Sequence, residues 1–400
     1  MTIAGAAELA ARTSYGRLLA ILAARSRDIA AAEDALSQAF VAALEQWPRD
    51  GVPTCPDAWL LTAARRRMID GARRARTRDA AAEALLALAP GEADDGPAVF
   101  PDDRAKLLFC CAHPAIDAAV HTPLMLQTVL GLDAERIAGA MLVSPKTMGQ
   151  RLWRAKTKIR DAGIAFEVPG RDELAVRLPP VLEAIYAAYG SGWQDVIGDG
   201  RLAGLAAEAI WLARVTVSVL PGEPEALGLL ALMLYAEARR EARRAADGSY
   251  VPLSQQDAAR WSRPMLAEAE RALATAAAMQ RIGPYQLEAA IQSAYVAGAL
   301  CGRTDRAAIA QLHEGLYRLA PTVGVFVARA AAIAEAFGPA RGLECLAGAD
   351  GCDAYQPYHA TRAHLLRALG REAEARAAYD RAIGLTEEPA VRGFLLARRG

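Results

Sequence analysis

The chain has 400 residues, and its 46 Lys and Arg are balanced by 46 Asp and Glu. That length allows two or three domains, and a zero net charge excludes bulk electrostatic adhesion to nucleic acid or membrane, so charge has to be sought in local patches. Aromatics make up only 6%, Ala, Leu, Arg and Glu abound, and alternating Val-Ile-Thr runs are lacking, which predicts an all-α fold.

The opening "MTIAGAAELAARTSYGRLLAILAARSRD" has no early basic segment or small-residue cleavage site, and Arg12, Arg17 and Arg25 interrupt its apolar residues. No uncharged apolar run approaches the roughly 18 to 20 residues that span a bilayer. The six cysteines show no CxxC spacing. A reduced, cytoplasmic protein without membrane association is expected.

Residues 1–78 read as one compact helical unit. A helix is predicted over Asp28–Glu45, with Ile29, Ala32, Leu36, Phe40 and Ala43 as its apolar stripe and Asp28, Glu33, Asp34, Ser37 and Gln38 outside it. The Pro- and Gly-rich stretch from Trp47 to Pro56 reads as a loop. A second helix, "DAWLLTAARRRMIDGARRARTR", begins apolar and becomes cationic through Arg65, Arg66, Arg67, Arg73 and Arg74. Arginines near Trp59 suit single-stranded DNA, with phosphates on guanidinium groups and bases near aromatic or loop pockets. The competing reading is a solvated basic face, with Trp59 packed in a core. Residues 79–103, acidic and rich in Pro and Gly, read as a flexible linker.

Residues 104–166 form a second unit. "DAERIAGAMLV" is a short helix from Asp133, followed closely by "SPKTMGQRLWRAKTKIRDA". Ser144 is an N-cap and Pro145 suits the first helical position. Met148, Leu152, Ala155 and Ile159 make one apolar stripe, leaving Lys146, Thr147, Gln150, Arg151, Arg154 and Lys158 off it. This is a helix-turn-helix layout, whose second helix places N-terminal side chains at base edges in the major groove. Gln and Arg make bidentate base contacts, and Lys and Arg further along suit phosphates. A surface helix with a solvated basic face remains the competing reading.

Residues 167–400 are a series of amphipathic helices broken at "LPGEPEA", "ADGSYVPLSQQD" and "LAPTVG". "GRLAGLAAEAIWLARVTVSVLPGEPEALGLLALMLYAEARREARR" reads as one helical pair. "HLLRALGREAEARAAYDRAIGLTEEP" is the clearest tetratricopeptide-like (TPR-like) element: Gly370 is expected at a close helix approach, and Ala375, Tyr379 and Ala382 keep the small–aromatic–small spacing. Stacked pairs of this kind form a concave surface for a peptide or protein ligand.

Three segments carry a family resemblance. The series Asp28, Glu33, Asp34, Ser37, Gln38 and Phe40 resembles region 2 of bacterial sigma factors, as does "PDAWLLTAARRRMIDGARR". The stretch "DRAKLLFCCAHPAI" through "SPKTMGQRLWRAKTKIRDAGI" resembles region 4 of the extracytoplasmic-function (ECF) class. The whole chain resembles the ECF subgroup with a TPR-like C-terminal extension. The resemblance implies two sigma domains, at 1–78 and 104–166, and an extension at 167–400. It implies core RNA polymerase, through its clamp helices and flap, and promoter DNA as partners. Asp28, Glu33, Asp34 and Gln38 would dock on the polymerase. Arg49, Asp50, Trp59, Arg65, Arg66, Arg67, Arg73 and Arg74 would serve the −10 element. Ser144, Lys146, Thr147, Gln150, Arg151, Arg154, Lys156 and Lys158 would serve the −35 element. The polar loop 246–261 resembles a characteristic loop of that subgroup, which implies a contact with the sigma core; a plain surface loop is the competing reading.

Cys110 and His113 share a helix face but have no third ligand nearby, so helix-end packing is favoured over a metal. No nucleophile–base set and no GxGxxG or GxxxxGK[ST] motif occurs, so neither an enzyme nor a cofactor is expected. A stand-alone helix-turn-helix regulator and a TPR-type scaffold are the rival functions.

Overall fold

The computed structural model describes residues 14–23, 26, 28–76, 102–141, 143–162, 169–194, 204–348, 351–386 and 388–400, and the side chains of 71–76 are outside that description. The fold is all-α: regular structure among the described residues is helical, apart from one isolated bridge between Arg244 and Tyr250. The chain divides into two compact units, Met1–Leu220 and Pro221–Gly400.

The first unit holds α1 (residues 14–23), α2 (Ile29–Asp50), α3 (Pro56–Arg76), α4 (Asp103–Cys111), α5 (Ala118–Thr128), α6 (Ala134–Ala140), α7 (Pro145–Asp161), α8 (Arg171–Gln194) and α9 (Leu205–Val219). Asp28 caps α2, its carboxylate accepting from Ala31 N at 2.9 Å. Of the predicted stripe, Ile29, Ala32, Leu36 and Ala43 are buried and Phe40 is half-buried. The helix outruns the expected end by a turn, because Pro48 is accommodated near its C-terminus and Gly51, at φ 83°, terminates it with an N–H bond to Trp47 O. Trp47, Arg49 and Asp50 are therefore helical, and the loop shrinks to residues 51–55.

The expected linker 79–103 lies outside the described residues except at its end, where Asp102 caps α4 and Asp103 begins it. The extension expected from 167 divides differently. Its first two helices, α8 and α9, belong to the first unit, because α8 buries Leu174, Leu178, Val181 and Leu182 and packs on α4 and α5. Arg177, itself buried, donates to Phe109 O at 3.3 Å and to Glu173 at 2.7 Å. Arg104 of α4 pairs with Glu208 of α9 and lies 4.4 Å from the Trp211 ring centre. The helical pair expected across 200–244 is thus split: α9 partners α8, and α10 starts the second unit.

That second unit contains α10 (Pro224–Glu237), α11 (Arg263–Ala278), α12 (Pro284–Cys301), α13 (Arg306–Leu319), α14 (Val323–Phe337), α15 (Pro339–Leu346), α16 (Gln356–Ala368), α17 (Glu372–Leu385) and α18 (Pro389–Arg399). Consecutive helices pack as neighbours, α10 also against α12 and α14 also against α16. Glu225 of α10 accepts from the backbone N–H of Tyr285 and Gln286 at 3.0 and 3.1 Å, satisfying α12's first orphan donors. In α16–α17, Ala375, Tyr379 and Ala382 are buried together with Ala363 and Leu366. Gly370 serves differently from expectation. It turns the chain at φ 74°, and a Cβ there would meet nothing within 4 Å, so conformation rather than close packing calls for glycine. The loop 246–261 packs within its own unit through Tyr250, edge-on to Phe394 with ring centres 5.5 Å apart. Neighbouring Arg244 pairs with Glu388, and Trp261 closes the loop as a buried residue.

Candidate nucleic-acid interface

α6 and α7 are joined by residues 141–144. Asp133 caps α6 by accepting from Arg136 N at 2.9 Å, and Ile137 and Ala138 are buried under α7. Ser144 caps α7: its Oγ accepts from Thr147 N at 3.2 Å and lies 2.8 Å from the Thr147 hydroxyl. Pro145 occupies the first turn. Met148, Leu152, Ala155 and Ile159 are all buried, as the apolar stripe requires. With that face seated, the remaining side chains have a fixed direction.

Lys146, Gln150, Arg151, Arg154 and Lys158 are exposed. No ion pair within the described residues holds Lys146, Arg151, Arg154 or Lys158. Thr147 is half-buried, with its hydroxyl engaged by the cap. Trp153 stands among these cations and is 67% exposed. With Arg154, Thr157, Lys158, Asp161 and Ala162 it lines a shallow depression of about 450 Å³. Sequence reasoning passed over this tryptophan, although its position off the apolar stripe was a legible signal. Lys156 differs from its neighbours: its Nζ lies 2.5 Å from Glu33 Oε1 on α2, and only 19% of its side chain is exposed.

Around α3 the expected residues separate. Trp59 is half-buried, edge-on to the fully buried Trp47 with ring centres 5.6 Å apart, so packing explains it. Arg49 and Asp50 are exposed at the end of α2, and Arg66 and Arg67 are exposed on α3, while Arg65 is half-buried. Arg73 and Arg74 lie on α3, but their side chains fall outside the described set. Asp57 ties α3 to α1 through Ser14 and Arg17.

The expected polymerase-facing residues also separate. Asp34 and Gln38 are exposed. Asp28 is used as a helix cap, and Glu33 is 17% exposed and paired with Lys156. Beside that pair, burial first and the Glu33 charge second push the Tyr15 phenol above its ordinary range. Burial pushes the Cys111 thiol up to about 12, outweighing the nearby Lys156 charge. A neutral thiol 3.5 Å from the Thr128 hydroxyl is packing material, not a nucleophile.

His113 and Cys110 likewise serve packing: Cys110 is buried, and His113 Nδ1 accepts from Ala115 N at 3.1 Å. None of the six cysteines is in a disulfide. Among the described residues no group of His, Cys, Asp and Glu could hold a metal ion, and no helix is long and apolar enough to cross a membrane.

Comparison with known proteins adds identity to this geometry. Residues 11–78 match sigma-70 region 2, and residues 177–277 match a family of unknown function, DUF6596. An uncharacterized protein of Rhizobium meliloti (strain 1021), R00370, is 38% identical over 395 residues, covering 96% of this chain and 93% of that protein. No solved structure matches. Residues 11–78 are thus a sigma-70 region 2, and the chain along nearly its whole length belongs to one family with R00370. That region supports a sigma-factor-like role in transcription initiation, with binding to core RNA polymerase and promoter DNA.

Proposed function

We propose that this chain is a sigma factor of the ECF class whose α6–α7 pair reads the −35 element and whose C-terminal helical unit, read as TPR-like, modulates its activity. The observation that carries this reading is the face of α7, where Lys146, Gln150, Arg151, Arg154 and Lys158 are exposed while Met148, Leu152, Ala155 and Ile159 anchor the helix. In such docking the N-terminal residues Lys146, Gln150 and Arg151 meet base edges, and Arg154 and Lys158 meet phosphates. Arg66 and Arg67, with Arg49 and Asp50 nearby in sequence, serve the −10 strand, while Asp34 and Gln38 meet the polymerase clamp helices. The flap takes the α4–α7 unit. The helix pairs of the second unit are suited to a peptide or protein ligand.

Run-off transcription with core polymerase on candidate promoters tests the reading. Initiation that depends on this chain is expected, and it should fall when Arg151 is replaced by Ala. Failure to initiate, together with failure to bind core polymerase, would sink the proposal. If deleting residues 221–400 left a folded remainder with unchanged promoter activity and regulation, the modulatory role of the second unit would be wrong.

A further inference from the structure

Lysine is the scarce cation of this chain. Of the 46 Lys and Arg only four are lysines, Lys106, Lys146, Lys156 and Lys158, and three of them stand on α7. Outside α4 and α7 every Lys or Arg position is arginine. The two side chains are not equivalent for control. A guanidinium keeps its charge, whereas an ε-amine is a nucleophile whose charge is removed by acylation.

The structure sorts the four amines into two kinds. Lys106 Nζ lies 3.1 Å from Asp103 Oδ1 and Lys156 Nζ lies 2.5 Å from Glu33 Oε1, with lysine side chains 30% and 19% exposed. In both, a carboxylate and neighbouring atoms stand where an external reagent would have to approach. Lys146 and Lys158 are exposed, and neither has an ion pair within the described residues. Both lie off the buried stripe, about 18 Å apart along the axis of α7 at 1.5 Å per residue. Lys158 also lines the same shallow depression as the exposed Trp153, so an acyl chain on it has apolar surface nearby. The two amines open to reagents are thus both on the face that meets DNA.

We infer that Lys146 and Lys158 are acylation sites, at which an activated acyl donor, an acyl phosphate or an acyl thioester, switches off promoter reading by α7. The switch rests on the sigma reading above. In the step, an unprotonated Nζ attacks the acyl carbonyl carbon. An amide C–N bond forms, the bond from that carbon to phosphate oxygen or thiol sulfur breaks, and phosphate or thiolate leaves. The proton lost by nitrogen passes to solvent. Each event deletes one cation from the α7 face, and DNA affinity falls steeply with cation number, since each neutralised phosphate contributes about 0.9 to the salt slope. Arginine at either position would serve a phosphate equally well and would be closed to this control.

The test treats the full chain with acetyl phosphate and, separately, with acetyl-CoA, and follows each lysine by mass spectrometry. With at least one donor, Lys146 and Lys158 should be acetylated at least about fivefold faster than Lys106 and Lys156. In the urea-unfolded chain all four should react alike. The donor that labels the pair identifies the source. No labelling by either donor, or equal labelling of all four in the folded chain, overturns the assignment. Promoter binding is then measured with core polymerase over a range of salt. Acetylation of both sites should lower affinity at least about tenfold and reduce the slope of log affinity against log salt by about two. A doubly acetylated chain that binds promoter undiminished overturns the switch and leaves the sigma reading intact. If the untreated chain forms no promoter complex with polymerase, the sigma reading falls and takes the switch with it. The Lys146→Arg/Lys158→Arg double variant, compared with itself before treatment, should lose no affinity on exposure to the donor. A loss equal to that of the wild-type chain would place the effect at another residue and overturn the assignment.

Discussion

Charge is used differently on α7 and at several places in the second unit. There, some arginines are matched within their own neighbourhood: Arg329 to Glu314 at 2.5 Å, Arg371 to Glu374 at 2.7 Å, Arg399 to Asp380 at 2.5 Å and Arg240 to Glu237 at 2.7 Å. On α7, Lys146, Arg151, Arg154 and Lys158 are exposed and, among the described residues, without an ion pair. Exposed pairs contribute little to stability, so the contrast concerns destination rather than strength. Matched charges finish a surface, and unmatched charges on one anchored helix are available to a partner outside the chain.

The contrast predicts that damage to each unit will be read out differently. The largest effect is expected from Tyr379→Ala, since Tyr379 is 2% exposed and lies beneath Arg367, whose guanidinium is 5.1 Å from the ring centre. The cavity should destabilise the second unit by about 3–4 kcal/mol, seen as faster amide exchange through α16–α18. Unchanged exchange there would mean that this core does not carry the stack.

The next prediction concerns pH. His313 is 7% exposed, its Nδ1 has no hydrogen-bond partner among the described residues, and burial holds its pKa down at about 4. An unfolded histidine titrates near 6.5, so between those values the unfolded state binds a proton that the folded state refuses. The sign follows: the contribution is fully present above pH 6.5 and is lost as pH falls toward 4, by on the order of 2–3 kcal/mol. His313→Leu should flatten that part of the denaturation-against-pH curve. If both proteins lose stability equally, His313 is not the group responsible.

Arg151→Ala should then leave amide exchange in the second unit untouched and cost about 1–3 kcal/mol of promoter affinity in polymerase-dependent binding, roughly 5- to 150-fold. An unchanged affinity would return the α7 face to the category of solvated surface.

What was legible in the sequence was local. Ser144, Pro145 and the stripe Met148, Leu152, Ala155 and Ile159 are written within one helix, where a period of 3.6 and a capping geometry suffice, and all behave accordingly in the structure. Punctuation misled where tertiary context overrides it. The stretch from Trp47 to Pro56 reads as a loop, yet α2 continues through Pro48 to Asp50, since only the last turn has to tolerate the lost hydrogen bond. Gly370 carried the right residue type for a different reason. The assignment of α8 and α9 to the first unit, and the meeting of Glu33 with Lys156, depend on partners far away in sequence, and no periodicity encodes them.

The smallest prediction tests the cap that aims the α7 face. Ser144→Ala removes the acceptor for Thr147 N and the neighbour of the Thr147 hydroxyl. Loss of an N-cap costs about 1 kcal/mol, so amides in the first turn of α7 should exchange roughly fivefold faster, while the buried stripe holds the rest of the helix in place. Ser144→Asp restores a side-chain acceptor and should return protection to near wild type. Its new negative charge sits beside Lys146, so promoter affinity should fall although the helix is intact. That split between recovered protection and weakened binding would show that the N-terminal end of α7 acts on DNA through its outward charge. Recovery of both would assign Ser144 and its surroundings to folding alone.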